Sequence, residues 1–422
     1  MPTFSELQAK YGLSEQEIQT KWEAFSLRNN NAKPDAASLE SFAISLSRNN
    51  KTKPRSILRQ LPTKVEYKIL DVTNTKVVGS LEPSNASQQD VEVQLLSVPK
   101  RVKYFNDSLD GISRTLKTQL KDAEQIFQAL LKTELANGCR ISQSTVWCVG
   151  RICRDLASTQ PGGPLYLENG ERVLLNLQNI DEQMTSKMFP GKIVALEGKN
   201  PRGAEFIATS VRELPMLPLH TVPTIGEIET RVGIVRASTG DELRSLLSHV
   251  AKQNCSVVIV LGLPVPSTAF LHLLKQFRMQ FVLLPSLDDT LSVPVYPQIA
   301  YNITPPKLHT ASNPTRFLVN NELVLCSSAP VISDLGQSNP NTLFSFAEKA
   351  RAILTQRQAY PLFPALIPLD MSSIEPSLTI ESPNLLILQG DNAAEVVDGV
   401  FCVSVDKCAV VHKSSAVFSQ IQ

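Results

Sequence analysis

The sequence predicts a multidomain protein: an all-β barrel followed by an α/β layered domain, with a small helical bundle ahead of both. Three patterns carry that reading. From about residue 141 to 213, short β-rich runs follow one another between turn signals, among them Asn169-Gly170, a dipeptide strongly favoured in tight hairpins. From about 230 the rhythm changes to apolar strand, amphipathic helix, apolar strand, the order of an α/β domain. Before position 48, apolar residues recur at helical spacing. A length of 422 residues leaves room for two or three domains.

In the first segment, residues 1–48, Thr3 with Glu6 and Ser14 with Glu17 have the spacing of capping boxes, which satisfy the free N–H groups of a helix start. Ile18, Trp22 and Phe25 then share a helix face, as do Leu39, Phe42 and Leu46, with Pro34 at the break between them. Residues 49–100 read as a linker. Arg48, Lys51, Lys53, Arg55, Arg59 and Lys64 stand together with no acidic residue among them. Such a run is a solvated linker, a nuclear-import signal or a phosphate contact.

The next segment, 101–225, opens with a long helix. Leu109, Ile112, Leu116, Leu120, Ala123, Phe127 and Leu130 form one apolar stripe. After it, "TVWCVGRIC", "PLYLENGERVLLNL", "GKIVALEGKN" and "EFIATSVRE" supply five strands, with a polar segment at 178–188 between the third and fourth. Five short strands with that interruption suit a Greek-key barrel of the OB type. In the last segment, 226–422, "RVGIVRA", "SVVIVLG", "FVLLPS", "LVLCSS" and "NLLILQ" are near-continuous apolar runs, as expected of strands buried on both faces. Helices are expected around Leu243–Val250, Phe270–Phe277 and 342–357.

Charge and cysteine content narrow the function classes. The net charge of +1 gives no bulk attraction for nucleic acid or membrane, so any such contact needs a local patch. No apolar run is long enough to span a bilayer, and the first ten residues lack a signal peptide's apolar core. The seven cysteines contain no C-x-x-C pair, which points to buried thiols in a reduced, intracellular protein.

Catalytic groups in an open α/β sheet belong at the strand ends. There the chain reads "RASTGD" (236–241), "GLPVPS" (262–267), "PSLDDT" (285–290), "SSAPVI" (327–332) and "QGDNAA" (389–394). A two-metal phosphoesterase needs several converging Asp, His and Asn ligands. The five histidines, His220, His249, His272, His309 and His412, are dispersed instead. Asp288, Asp289 and Asp391 follow strands, where an Asx-turn or a helix cap accounts for each. No P-loop, dinucleotide fingerprint, serine elbow or zinc pattern occurs.

A barrel followed by an α/β domain with blank strand ends resembles the B subunits of replicative DNA polymerases, the polymerase alpha type in particular. "FPGKIVALEGKNPRG" (189–203), "LPMLPLH" (214–220), "LLPSLDDTLSVPVYPQ" (283–298) and "ILTQRQAYPLFP" (353–364) carry the likeness. It implies an OB fold packed on a calcineurin-like metallophosphoesterase domain that has lost its metal ligands. The blank positions would be Arg236-Ala237-Ser238, Gly262-Leu263-Pro264, Pro285-Ser286-Leu287 and Gln389-Gly390-Asp391.

The resemblance implies a non-catalytic nuclear accessory subunit with no cofactor, no metal and no membrane contact. Its partners would be the C-terminal region of the catalytic subunit of DNA polymerase alpha, the primase subunits and DNA. Tyr296, Arg357, Tyr360 and Phe363 are the expected partner-binding residues. Tyr360 and Phe363 flank Pro361 on a stiff turn, which suits either an interface anchor or a seal on the α/β core edge. Two other classes compete. One is a working phosphoesterase centred on Asp288, Asp289 and Asp391. The other is a single-strand-binding barrel, for which Trp147, Tyr166, Phe189 and Phe206 are the available stacking rings.

Overall fold

Residues 65–71, 91–96, 104–105, 108–154, 163–221, 230–263, 267–289, 291–303, 307–339, 344–371 and 381–421 are described by this computed structural model. All of them fall in one of the two units into which the chain divides, Lys64–Gln422. The helical bundle expected at 1–48 and the basic stretch at 48–64 lie outside the described residues.

Strands β1 (Val65–Asp71) and β2 (Val93–Leu95) come first, both inside the stretch read as linker. Each is an edge strand of a sheet formed much later in the chain. Helix α1 (Leu109–Leu131) follows the expected stripe, with Ser108 capping it by accepting from Gly111 N at 3.2 Å. Only the middle of the stripe is covered: Ala123 and Phe127 are buried against the barrel, whereas Leu109 is 85% exposed.

The barrel consists of β3 (Ser142–Arg154), β4 (Leu165–Asn169), β5 (Glu171–Asn176), β6 (Ile193–Asn200) and β7 (Glu205–Glu213), with α2 (Glu182–Thr185) between β5 and β6. It closes in the order β3-β4-β5-β7-β6, as the OB-type reading requires. The β4–β5 hairpin turns at Asn169-Gly170, and Gly170 takes a φ of 76° there. Cys148, Ile152, Leu167, Val173, Leu196 and Phe206 fill its interior.

Two sheets make up the rest. After β8 (Arg231–Val235) come α3 (Gly240–Lys252), β9 (Val257–Leu261), α4 (Ser267–Leu274), β10 (Gln280–Leu284) and β11 (Leu308–Thr310). Then follow β12 (Thr315–Val319), β13 (Glu322–Ser327), α5 (Val331–Ser338), α6 (Phe346–Gln356) and β14 (Leu385–Gln389). The last strands are β15 (Ala393–Val397), β16 (Val400–Val405), β17 (Cys408–His412) and β18 (Ser415–Ile421). One sheet runs β1-β18-β17-β8-β9-β10-β11, the other β15-β16-β14-β13-β12-β2.

The sheets face each other across a shared core that includes Ile234, Ile259, Val282, Phe317, Ile387, Val403 and Phe418. Helices α3 and α4 cover the outside of the first sheet, α5 and α6 that of the second. The near-continuous apolar runs follow from this, because β8, β9 and β14 have a sheet on one side and helices on the other.

The seven cysteines are all unpaired, and every one except Cys139 is buried. Burial pushes the Cys148 and Cys408 thiols up to about 12. Only the thiolate reacts readily. A disulfide reagent at neutral pH is therefore expected to label Cys139 at most in native protein and all seven thiols in denaturant, read as thiols released per chain.

A glycine at the junction of barrel and α/β domain gives a second test. A Cβ on Gly191, where φ is 101°, would stand 2.4 Å from both Phe363 N and Pro361 O. Gly191→Ala should lower the urea-unfolding free energy by about 2 kcal/mol or more. Gly170→Ala, strained in φ but with open space around it, should lose about 1 kcal/mol.

Candidate functional site

The strand ends of the α/β domain are occupied by a buried network of amides and hydroxyls. Gln298 and Asn313 exchange backbone hydrogen bonds at 2.7 and 3.0 Å, and their side chains meet at 2.9 Å. Gln298 Nε2 also donates to Ser286 O at 2.9 Å and Ser292 Oγ at 2.8 Å. Asn313 Oδ1 accepts from Ser328 N at 3.1 Å and from Ser327 Oγ at 3.3 Å, while Ser328 Oγ donates to Pro285 O at 2.5 Å. Gln298, Asn313, Ser286, Ser327 and Ser328 are all buried. Buried polar groups of this kind are stable only when paired, and here they pair with one another.

The charged groups on this face are likewise engaged. Asp289 accepts from Leu263 N at 2.9 Å, from Ser286 N at 2.7 Å and from the Tyr301 hydroxyl. Its carboxylate ties the β9 end to the β10 end. Burial, reinforced by that carboxylate, pushes the Tyr301 phenol up, so it stays a donor. Asp288 is exposed and pairs with Arg236 at 3.3 Å, and Arg236 reaches Asp406 at 4.0 Å. Burial lowers the pKa of the half-buried Lys349, and the nearby Asp391 opposes the shift.

Asp288, Asp289 and Asp391 thus have different neighbours. Among the described residues no three His, Cys, Asp or Glu side chains converge as a metal ion would need. A guanidinium repels cations, and the amide oxygens of Gln298 and Asn313 are already engaged by hydrogen bonds. Among the described residues no anionic oxygens or imidazoles converge beside them as a pair of divalent cations needs. The residues of this face do not fit the metal pair of a phosphoesterase.

The expected partner-binding residues collect at the seam where the barrel meets α5 and α6. Tyr360 and Tyr296 are each 3% exposed, with ring centroids 5.9 Å apart. The Tyr360 hydroxyl donates to Asp334 Oδ2 at 2.6 Å and accepts from Leu366 N at 3.2 Å. Burial, together with that carboxylate, raises the Tyr360 phenol. These two rings pack within the chain's own interior. Phe363 and Arg357 are half-buried. Phe363 carries the Arg151 guanidinium over its ring at 5.8 Å, and its N–H donates to Pro190 O at 3.1 Å. Arg357 ends α6 in the left-handed region and donates to Pro215 O at 3.4 Å.

Side chains that carry no signal in the sequence do most of the joining. Gln356 brackets Ile193, accepting from its N–H at 2.8 Å and donating to its carbonyl at 3.1 Å. Asn339 Nδ2 donates to the carbonyls of Ser186 and Met188, the latter at 3.1 Å, and Arg154 donates to Ser338 O at 2.8 Å. Lys187 of the barrel pairs with Glu348 of α6 at 3.2 Å. Lys192, fully buried, pairs with Glu213 and donates to Lys187 O at 3.0 Å. Burial lowers its pKa, and Glu213 opposes the shift.

The stacking rings expected of a single-strand binder are largely consumed by packing. Phe206 is inside the barrel, and Phe189 is inserted into the α5–α6 layer, stacked on Phe344 at 6.0 Å. Trp147 packs beneath α1. Tyr166 keeps partial exposure.

Comparison with known proteins bears on both domains. The family model for the OB domain of the DNA polymerase alpha B subunit matches residues 113–214, and the model for the DNA polymerase alpha/epsilon B subunit matches residues 264–397. The chain matches the B subunit of DNA polymerase alpha in both domains. The B subunit of DNA polymerase alpha from Schizosaccharomyces pombe is 23% identical over 83% of this chain and 79% of its own length. Those of Mus musculus and Bos taurus are each 24% identical, over 68% and 48% of this chain, which spans 53% and 40% of their lengths. The OB-domain match coincides with α1 and the barrel, and the second match with strands and helices that frame the blank face.

The two aspartates make opposite predictions. Asp289→Ala strands two backbone donors and a phenol, so it should cost about 1–3 kcal/mol in urea unfolding. Asp288→Ala removes one exposed ion pair and should change stability by less than about 1 kcal/mol.

Proposed function

We propose that this chain is the non-catalytic accessory subunit of a DNA polymerase alpha–primase assembly, acting in the nucleus. In this reading it holds the C-terminal region of the catalytic subunit and couples it to primase. Residues 226–422 serve as a phosphoesterase-like scaffold without metal chemistry. Residues 101–225 form the helix and barrel, 49–100 a connecting segment that also lends β1 and β2 to the sheets, and 1–48 a separate docking unit.

The observation that carries the proposal is the blank face. Where a phosphoesterase would hold two cations, this chain has Arg236 and a closed amide–hydroxyl network. A scaffold needs rigidity and surface instead, and both are on hand at the seam. A groove there is lined by Leu116, Gln119, Arg151, Phe363, Leu369 and Met371. Leu109, on the same α1 stripe as Leu116, and Leu366, just past the turn, are exposed large apolar side chains. An apolar centre with a polar rim is the usual anatomy of a protein interface. We assign partner contact to Phe363 and Arg357, and support of that contact to Tyr296 and Tyr360.

Co-expression with the catalytic and primase subunits of the same organism, followed by pull-down, tests this. Retention of the catalytic subunit is expected, with no phosphatase or nuclease turnover in Mg²⁺ or Mn²⁺. Failure to retain it, or turnover abolished by Asp391→Ala, would overturn the proposal. Phe363→Ala should weaken retention at least tenfold with little change in melting temperature. Tyr360→Ala, which empties a buried site, should cost about 3–5 kcal/mol of stability.

A further inference from the structure

The second sheet ends in a strand whose outer edge is open. Among the described strands β15 pairs only with β16, in a regular antiparallel register from Ala393↔Ser404 to Val397↔Val400. The hairpin between them turns on Asp398 and Gly399, whose φ values of 49° and 88° suit a two-residue type I′ turn. Such a turn makes Val397 and Val400 exchange hydrogen bonds, and bonded pairs then alternate back along the strand. Phe401 fixes the phase, because its N–H points away from β15 and donates to Asn384 O at 3.0 Å. Ala394 and Val396 therefore turn their N–H and C=O groups outward, where nothing among the described residues receives them.

Edge strands are commonly blunted by proline, lysine or a bulge. β15 has none of these. Its exposed side chains are Glu395 and Val396, the latter 46% exposed. Alternation puts them on opposite faces. Val397, on the side of Glu395, packs in the α6 layer, and Ala394, on the side of Val396, packs in the core between the sheets.

Charge selects the occupant. Residues 390–405 contain Asp391, Glu395 and Asp398 and no lysine, arginine or histidine. The cations nearby are in use: Arg351 pairs with Asp398 at 3.1 Å, Lys187 with Glu348 at 3.2 Å, and Lys349 stands beside Asp391. Glu395 has no ion-pair partner among the described residues. Partial burial and then repulsion from Glu348 raise its pKa, and a cation beside it would oppose the shift. A second copy of this chain is a poor fit. Antiparallel pairing through Ala394 and Val396 of both copies would set Glu395 against Glu395.

We propose that the β15 edge receives an extended peptide of another protein as a further strand, with an apolar–basic–apolar triplet set against residues 394–396. Main-chain bonds to Ala394 and Val396 attach it, the basic side chain lies beside Glu395, and the apolar pair lies on the face of Val396. The contact does not depend on the polymerase reading, so the full chain alone is the right sample. Fluorescence anisotropy would follow a labelled, end-capped Thr-Val-Arg-Val-Thr peptide. Saturable binding is expected, with slowed hydrogen exchange at the Ala394 and Val396 amides. Val396→Pro removes an outward N–H and spares the pairing with β16. It should bind the peptide about tenfold more weakly at a similar melting temperature. Glu395→Lys should bind it about fivefold or more weakly and prefer the same peptide with glutamate at its centre. A peptide N-methylated at both valines should not bind. No binding of the parent peptide, equal binding of the N-methylated one, or full affinity in both variants would overturn the proposal. So would a dimer of this chain that Val396→Pro dissociates, since the edge would then belong to a second copy.

Discussion

The two-bond grip of Gln356 on Ile193 is the contact on which the rest of the architecture depends. Ile193 opens β6, the strand next to β3 in the closed barrel, and Gln356 ends α6 on the second sheet. A side-chain amide that both accepts from and donates to one residue behaves like a short extra strand. It joins the barrel to a helix in one orientation. Around it, Phe189 crosses into the helical layer, Gly191 lets the 361–363 turn approach the barrel backbone, and Asn339 takes two carbonyls of the 186–188 segment. The contribution of any one hydrogen bond is modest, about 1 kcal/mol. Their common location on one short run of chain, 186–193, makes the seam a single cooperative junction.

That junction and the blank strand ends are complementary solutions. A catalytic face keeps unpaired, strongly charged groups ready for a substrate, at a cost in stability. Here the same positions are filled by Gln298, Asn313 and three serines that satisfy one another, with Asp289 spent on backbone N–H groups. The sheets gain internal connection at their strand ends. A rigid body with quiet strand ends suits a subunit whose work is to present surface to other chains.

Much of the architecture was legible because it rests on local periodicity. The α1 stripe, the Asn169-Gly170 hairpin and the apolar runs of β8, β9, β10, β13 and β14 all declare themselves within short windows of sequence. Other parts depend on distant partners. Helix α5 contains Gly336 and serines at 333 and 338 and follows Pro330, so its propensity is poor. It exists because Val331, Ile332 and Leu335 pack on the second sheet. Strands β1 and β2 lie in a stretch read as linker, although Val65, Tyr67 and Ile69 alternate with polar residues, and they are placed by pairing with β18 and β12. At the site, the blankness of the strand ends could be read from residue types. The joining roles of Gln356 and Asn339 could not, because an amide's partner is invisible without the fold. Tyr360 was legible as an anchor on a stiff turn; its burial against Asp334 was not.

The pairing of β17 with β8 has a consequence for biosynthesis. Val410 lies beside Gly233 and Val411 beside Val232, while β18 in turn receives β1 from residues 65–71. The first sheet is therefore assembled from both ends of a long stretch of chain. Loops of this length are slow to close. As the polypeptide leaves the ribosome, the barrel, whose strands are near neighbours in sequence, can be complete while β8 still shows an unpaired edge. That edge stays open until residues 408–412 arrive. An uncovered strand of valine and isoleucine is an aggregation hazard, so this chain has a period of vulnerability late in its synthesis that the finished fold conceals.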